Sequence, residues 1–221
     1  IDPFGASFGT SSLTSSQGNT FVRDSNMIQY STPNISGFKG LFGYSFNPGV
    51  SSNTGTAGFE TNNKDRVASA GLRYANGPIL VAGIFDYMYS NNLVTADSVA
   101  DTNIKSWTVG GTYDFKVAKV HASFGQNIDG ILGNSDLEAN IISDDGPTNV
   151  GSSALFFRGA RTQSWMVGLS APVGAAGKVF GSVQQRSIGG EFKDAFGELE
   201  TETMTTASIG YTYGFSKRTN L

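Results

Sequence analysis

The fold is decided by residues 206–216, which read TASIGYTYGFS. A repeat of two runs through this stretch, and it is the geometry of a β-strand because successive side chains leave opposite faces of the pleat. In a soluble protein the apolar face is buried in a core, whereas a membrane barrel turns that face to lipid and its polar face to a wet lumen. The opposite face here holds small or hydroxylated residues, which favours a transmembrane β-barrel over a soluble β-sandwich. The apolar positions are Ala207, Ile209, Tyr211, Tyr213 and Phe215.

The same alternation recurs along the chain and predicts nine strands with the start of a tenth. Tight turns are expected at the hairpin signal Asn76-Gly77, near Lys116-Val117 and at Gly174–Gly177. With neighbours paired in chain order, the strands would form an antiparallel up-and-down meander. The expected strands cover residues 25–32, 38–46, 66–75, 78–90, 105–115, 119–126, 163–171, 178–187 and 206–216.

Long polar segments alternate with the short turns, at about 47–65, 91–104, 127–162 and 188–203. Outer-membrane barrels are built in this way, with short turns towards the periplasm and long loops towards the outside. Aromatic residues at the strand ends agree with two girdles at the membrane interfaces. The loop ends carry Trp107 and Trp165, and the turn ends carry Tyr113, Phe115, Tyr211, Tyr213 and Phe215.

The composition agrees with a barrel and excludes other classes of protein. Only 38% of the residues are hydrophobic, as expected where alternate strand residues alone meet lipid. No run of about 18 apolar residues occurs, so no transmembrane helix is predicted. The absence of cysteine excludes disulfides and thiolate metal sites. The net charge is -3 and the basic residues are dispersed, which argues against nucleic-acid binding.

Both ends of the chain resemble the general porins of Gram-negative bacteria, especially those of β-proteobacteria. Residues 25–33 read SNMIQYSTP and precede Gly37-Phe38; they resemble the strand and turn after that family's constriction loop. Residues 210–221 read GYTYGFSKRTNL and are similar to a late strand and its SKRT turn. Asp2-Pro3-Phe4-Gly5 is similar to the end of the loop that folds into the pore. Gln29 stands where many relatives have a basic residue, so an arginine cluster at the constriction is not carried over.

The resemblance implies an all-β, transmembrane antiparallel up-and-down β-barrel. The chain would be an internal fragment supplying about nine to ten strands of a sixteen-stranded barrel. Residues 1–221 would then be one barrel domain, with 1–22 as the end of the constriction loop and 23–221 as strands and long loops. The family also implies a homotrimer in the outer membrane, surrounded by lipid and lipopolysaccharide. It would pass small hydrophilic solutes and ions by passive diffusion, without a cofactor.

Charge on the predicted lumen face is mainly basic. Wall charges in a narrow pore are only partly screened, since the Debye length at physiological salt is about 8 Å. A basic wall concentrates anions, so we hypothesise a mild anion preference; ordinary solvated charges without selectivity are the alternative. The expected pore-lining residues are Arg23, Lys39, Arg73, Asp114, Lys119, His121, Lys178 and Arg186, with Asp86 as a second acid.

No catalytic site and no metal site are predicted. His121 is the only histidine and shares a strand face with Ser123. Residues two apart on a strand are separated by about 6.5–7 Å, too far for a catalytic Ser–His hydrogen bond. Glu198, Glu200 and Glu202 alternate in an acidic loop, which is more typical of a solvated surface than of a divalent-cation site, although such a site is the alternative.

Two functions other than general diffusion fit this architecture. One is a substrate-specific outer-membrane channel, and the other is a surface receptor or adhesin that uses the long loops. The polar inner face favours transport, because a pure adhesin does not need one.

Overall fold

The computed structural model describes residues 26–46, 66–94, 99–132, 154–190, 193–194, 197–198, 202–216 and 219–220. Within these ranges, one antiparallel sheet of ten strands follows chain order. The single exception is that β8 pairs with β11, because β9 and β10 form a separate two-stranded hairpin between them. The predicted all-β meander is therefore confirmed. No helix in the described ranges is long and apolar enough to cross a bilayer.

The ten strands of the main sheet differ greatly in length. β1 has 5 residues and β12 has 2, whereas β7 has 20. The bounds are β1 Met27–Ser31, β2 Phe38–Ser45, β3 Arg66–Asn76, β4 Ile79–Val94, β5 Val99–Asp114, β6 Lys119–Leu132, β7 Ala154–Val173, β8 Gly177–Gly190, β11 Glu202–Ser216 and β12 Thr219–Asn220. The small hairpin consists of β9 Lys193–Asp194 and β10 Gly197–Glu198.

The strands extend further towards the long loops than the sequence predicted. β5 begins at Val99, β6 ends at Leu132 and β7 begins at Ala154. The prediction of loops at 91–104 and 127–162 is therefore wrong for residues 91–94, 99–104, 127–132 and 154–162, which are in strands. About 9–11 residues suffice to cross a bilayer, whereas β5 has 16. Backbone pairing continues beyond the apolar band, where the side chains no longer alternate in polarity.

The fourth predicted loop, 188–203, is shorter for the same reason and also contains the small hairpin. β8 runs to Gly190 and β11 begins at Glu202. The expected loop 47–65 and the expected constriction-loop residues 1–22 lie outside the described residues. Those two assignments stay predictions.

The hairpin between β3 and β4 turns one residue later than predicted. Asn76 pairs with Ile79, so Gly77 and Pro78 form the loop. Gly77 has a φ of 53°, and the proline ring fixes the next φ at about −65°. A positive φ at the first central residue alone is the pattern of a type II′ turn. The two turn residues are therefore Gly77 and Pro78 instead of Asn76 and Gly77. Pro78, predicted as the first residue of the next strand, lies in the turn.

The turn between β1 and β2 requires glycine at one position. Ser36 and Gly37 have φ values of 52° and 93°, both positive as a type I′ turn demands. Ile35 and Phe38 close the turn with backbone hydrogen bonds of 2.9 and 3.0 Å. A Cβ atom on Gly37 would lie 2.7 Å from the carbonyl oxygen of Ala75 on β3. The turn thus packs directly against the neighbouring strand.

Large apolar side chains cover one face of the sheet and remain exposed. Ile209 is 83% exposed and Phe215 is 65% exposed. At the turn ends Tyr113 lies against Phe115, with ring centroids 4.5 Å apart, and Tyr213 lies 5.2 Å from Phe215. A soluble sandwich would bury such side chains, whereas a membrane barrel covers them with lipid.

Candidate pore-lining face

Burial alternates strictly along residues 161–170 of β7 and defines two faces of the sheet. Every second residue is buried, and each residue between is exposed. The buried positions are Thr162, Ser164, Met166, Gly168 and Ser170; the exposed ones are Arg161, Gln163, Trp165, Val167 and Leu169. We call the face with Thr162 to Ser170 the inner face and the face with Trp165 the outer face. Direct cross-strand partners share a face, so the register extends both definitions across the sheet.

The register brings several predicted residues onto the inner face. One row of directly paired residues crosses eight strands and consists of Lys39, Arg73, Ala82, Gly110, Ser123, Met166, Gln184 and Thr206. Neighbouring rows pair Asp114 with Lys119, His121 with Gly168, Ser164 with Arg186 and Lys178 with Thr212. Arg23 lies outside the described residues, so its place stays a prediction.

The register also orients β4, whose two faces are both rather apolar. Phe85 pairs with Trp107 and faces outwards, whereas Asp86 pairs with Ser106 and faces inwards. On the inner face Asp86 accepts a hydrogen bond from the Ser69 hydroxyl on β3. Asp86 therefore joins the predicted set as an acid with a fixed neighbour.

Lys39 and Arg73 are directly opposite each other on β2 and β3. Both side chains are exposed. Like charges in this position repel, so they are disfavoured unless something else requires them. Beside them lies a cavity of about 360 Å³, whose apolar wall includes Leu41, Gly71 and Ile84.

Asp114 and Lys119 form an ion pair next to the turn between β5 and β6. Asp114 Oδ2 lies 3.2 Å from Lys119 Nζ, and each side chain is 42% exposed. Asp114 Oδ1 also accepts the backbone N–H of Lys116 at 2.8 Å. The pair neutralises one of the predicted lumen bases, and because it is half-exposed it contributes little to stability.

Lys178 and Arg186 occupy different environments on β8. Arg186 is 4% exposed. Lys178 is exposed, with its Nζ 5.6 Å from the centroid of the Phe180 ring, a cation–π distance. Of these two bases, only Lys178 is open to a solute passing along the inner face.

His121 has a serine partner on the neighbouring strand. Its Nε2 lies 3.1 Å from Ser170 Oγ on β7, and the histidine is 6% exposed. This contact resembles the first half of a catalytic triad, but catalysis would also need a group that orients the imidazole. Within the described residues no group of three or more His, Cys, Asp or Glu side chains could hold a metal ion.

A row of polar residues on the inner face, near the loop end of the sheet, was not predicted from the sequence. Asn127 pairs with Ser106 on one side and Thr162 on the other. Asn127 and Thr162 are both fully buried, and the Asn127 amide and the Thr162 hydroxyl have no hydrogen-bond partner among the described atoms. Both residues fall in the segment predicted as the loop 127–162, so the alternation rule was not applied to them.

The outer face changes from apolar to polar just beyond the tryptophans. Trp165 Nε1 donates to Gln185 Oε1 at 3.1 Å, and Gln185 Nε2 donates to Thr205 Oγ1 at 3.1 Å. In the next outer-face pair towards the loops, the hydroxyls of Ser187 and Thr203 are 3.1 Å apart. An indole at the boundary between apolar and polar bands is typical of a membrane interface, which supports the predicted girdle at the loop ends.

The profile of the Gram-negative porin family matches residues 1–221. The chain belongs to this family. Membership agrees with the outer and inner faces described above, and it confirms the predicted transmembrane architecture and a location in the Gram-negative outer membrane. The family is one of channels rather than enzymes, so the contact between His121 and Ser170 is structural.

Two curated relatives come from β-proteobacteria. An outer membrane porin protein of Bordetella pertussis is 38% identical over 229 residues, covering 100% of this chain and 56% of that protein. Outer membrane porin protein 32 of Delftia acidovorans is 28% identical over 204 residues, covering 90% of this chain and 45% of that protein. This porin chain therefore spans about half the length of the curated relatives it matches.

Solved structures agree on the fold of this porin chain. A refined porin structure superposes with a TM-score of 0.52 at 14% identity, covering 86% of this chain and 51% of that one. A loop-deletion variant of OmpT, an outer membrane protein of Vibrio cholerae, has a TM-score of 0.55 at 14% identity, covering 96% of this chain and 61% of that one. At such identities the likeness shows the fold alone.

Proposed function

We propose that the complete protein carrying this chain is a general-diffusion porin. Small hydrophilic solutes and ions would pass its lumen passively, selected by size and by wall charge. The observation that carries the proposal is the contrast between the two faces of β11. Thr206 and Ser208 face inwards, whereas Ala207 and Ile209 face outwards and are exposed. An inner wall of hydroxyl groups is suited to a water-filled path.

A substrate-specific channel and a loop-based receptor are the competing functions. A specific channel would show saturable passage of one solute, whereas general diffusion rises in proportion to concentration. A receptor would bind its partner through the loops and would not need an open lumen. The polar inner face therefore favours diffusion over a receptor role.

A mild anion preference is the second part of the proposal. Lys39, Arg73 and Lys178 are exposed on the inner face. Lys119 is already paired with Asp114, so it contributes less to the field, and Arg186 is buried, so it is not open to direct contact with a passing anion. A surplus of exposed bases raises the local concentration of anions.

Contact with lipopolysaccharide is the third part and rests on the outer face. Lys105 and Arg161 both pair with Ile128, one from each side, so they lie in one row. Both are exposed, and the row lies beyond the Trp107 row, towards the loops. Basic residues at this level meet the phosphate groups of the outer leaflet, where each contributes about 1 kcal/mol of attraction to an anionic surface.

The test is conductance of the complete protein in a planar bilayer, with the zero-current potential measured across a salt gradient. We expect stable steps, grouped in threes if the protein is the trimer that the family resemblance implies, and a potential of the anion-selective sign. Clear cation selectivity would contradict the charge proposal. A correctly folded protein without conductance would contradict the channel itself and favour the receptor.

A further inference from the structure

We infer that the inner face at β2–β4 holds a binding site for organic carboxylates that combine one negative charge with a compact apolar body. The site consists of the basic pair Lys39 and Arg73 and the cavity beside it, and we call it the carboxylate site. The inference rests on the proposed function, since it names a class of solute that the pore would take.

The charge at this site has no counter-charge among the described residues. No described carboxylate pairs with Lys39 or Arg73, and the ion pair of Asp114 with Lys119 lies elsewhere, at the turn between β5 and β6. Asp86 shares the inner face but lies four residues beyond Ala82, the residue opposite Arg73, a separation of about 13 Å along the strand. Two directly opposed side chains have Cβ atoms about 4.5–5.5 Å apart. Their positive charges therefore act on the same small volume.

The cavity supplies apolar contact next to this charge. It measures about 360 Å³, within the range of about 300–1,000 Å³ that is usual for small-molecule sites. Leu41, Gly71 and Ile84 line it in one row across β2, β3 and β4. Ile84 is 38% exposed, whereas other large apolar side chains of the inner face, such as Val67 and Met88, are buried. Gly71 has no side chain to fill the space between Leu41 and Ile84, which leaves room for a ligand.

This combination fits an amphiphilic monoanion better than an inorganic ion. Arg73 can hold a carboxylate through two parallel N–H donors, and Lys39 adds a point charge from the facing strand. The apolar body of the ligand would cover Ile84 and Leu41 and release the water on them. Chloride or phosphate would gain the charge interaction alone. Short fatty acids and aromatic acids such as benzoate are the class selected.

Other bases on the described inner face lack this arrangement. Lys119 is paired with Asp114, Lys178 lies over the Phe180 ring and Arg186 is buried. Lys178 is therefore a suitable control, because it is an exposed inner-face base on another part of the sheet. Lys178→Ala removes the same charge as Arg73→Ala without touching the cavity.

The experiment measures block of the chloride current through the complete protein in a planar bilayer. Acetate, butanoate, hexanoate and benzoate are added at constant ionic strength, and the half-blocking concentration of each is recorded. We expect it to fall with every added methylene, with about fourfold per methylene as the ceiling set by full burial. Arg73→Ala should raise the half-blocking concentration of hexanoate at least about tenfold, since it removes both charge-assisted hydrogen bonds to the carboxylate.

A second variant separates apolar contact from charge. Ile84→Ser keeps both bases, so it should flatten the dependence on chain length and leave block by acetate unchanged. Lys178→Ala, which lowers only the general anion concentration in the lumen, should shift all four half-blocking concentrations by the same small factor and keep the dependence on chain length. Circular dichroism confirms that each variant is folded. Equal block by acetate and hexanoate in an open channel would overturn the carboxylate site alone, as would equal effects of Arg73→Ala and Lys178→Ala. A folded protein without any current would overturn the proposed function as well.

Discussion

Lys119 and Asp114 show how a neighbour changes what a predicted charge can do. Alternation along β5 and β6 correctly assigned both side chains to one face, and the 3.2 Å contact between them joins their charges into a neutral pair. Asp114 also stabilises the turn by accepting the Lys116 N–H. Its two oxygens therefore have separate roles, one electrostatic and one conformational.

Asp114→Asn should separate these two roles. The amide oxygen can still accept the Lys116 N–H, so the turn should persist and the free energy of unfolding should fall by less than about 1 kcal/mol. Lys119 would lose its counter-charge, and the zero-current potential should move towards stronger anion selectivity. An unchanged potential would show that this pair lies outside the ion path. Asp114→Ala is the companion variant, since it removes the turn hydrogen bond as well and should destabilise more.

The sequence alone assigned the charged residues to the inner face more completely than the uncharged polar residues. Lys39 and Arg73 lie in clearly alternating strands, so the period of two was sufficient to assign their face. Asn127, Thr162 and Ser170 were missed for other reasons. The first two fall in a segment whose polarity predicted a loop. Ser170 contacts His121, which lies 49 residues away in sequence. Cross-strand contacts of this kind depend on register, which no single-strand pattern contains.

At the scale of strands and turns, the sequence predicted which elements exist more accurately than the residues at which they begin and end. Apolar alternation stops where the membrane band stops, whereas the ladder of β5 and β6 continues towards the loops. The turn after β3 moved by one residue because Pro78 cannot donate to the ladder. Strand number and order were predictable because they depend on many residues, whereas each boundary depends on one or two.

Gly37 tests how closely the first turn packs on the sheet. Gly37→Ala would place a Cβ 2.7 Å from the Ala75 carbonyl oxygen at a φ of 93°, and this backbone oxygen cannot move aside easily. Gly174→Ala is the matched control, with a φ of 63° and open space around it. A positive φ alone costs about 1–2 kcal/mol, so Gly37→Ala should lower the free energy of unfolding by clearly more than the control. Equal losses in urea unfolding would refute the close packing.

The outer-face row of Lys105 and Arg161 gives a second test at this scale. Lys105→Glu should weaken the binding of purified lipopolysaccharide by at least about fivefold at low salt, since about 1 kcal/mol of attraction is lost with the basic residue and the new carboxylate adds repulsion. Lys116→Glu makes the same charge change at the opposite, turn end of the sheet and should have no effect. Equal weakening by both variants would mean that net charge, rather than this row, controls the interaction.

The whole molecule is understood through the contrast between its two faces. The outer face exposes Ile209 and Phe215, which only lipid or another apolar surface can cover favourably. The inner face carries hydroxyl groups, and the bases Lys39 and Arg73 lie on it beside Ile84 and its cavity. The chain spans about half the length of its curated relatives, so conduction belongs to the complete protein. The division between wet and lipid-facing residues, however, is already present in these strands.

Single-cysteine labelling along β11 tests that division most directly, because the chain itself has no cysteine. Cysteine is placed in turn at Thr206, Ala207, Ser208 and Ile209 in the complete protein, reconstituted in lipid, in a background without other cysteines. A charged, membrane-impermeant thiol reagent is then added while the current is recorded. We predict rapid labelling and a changed current at residues 206 and 208, and protection at 207 and 209. Labelling at 207 and 209 with protection at 206 and 208 would contradict a water-filled inner face.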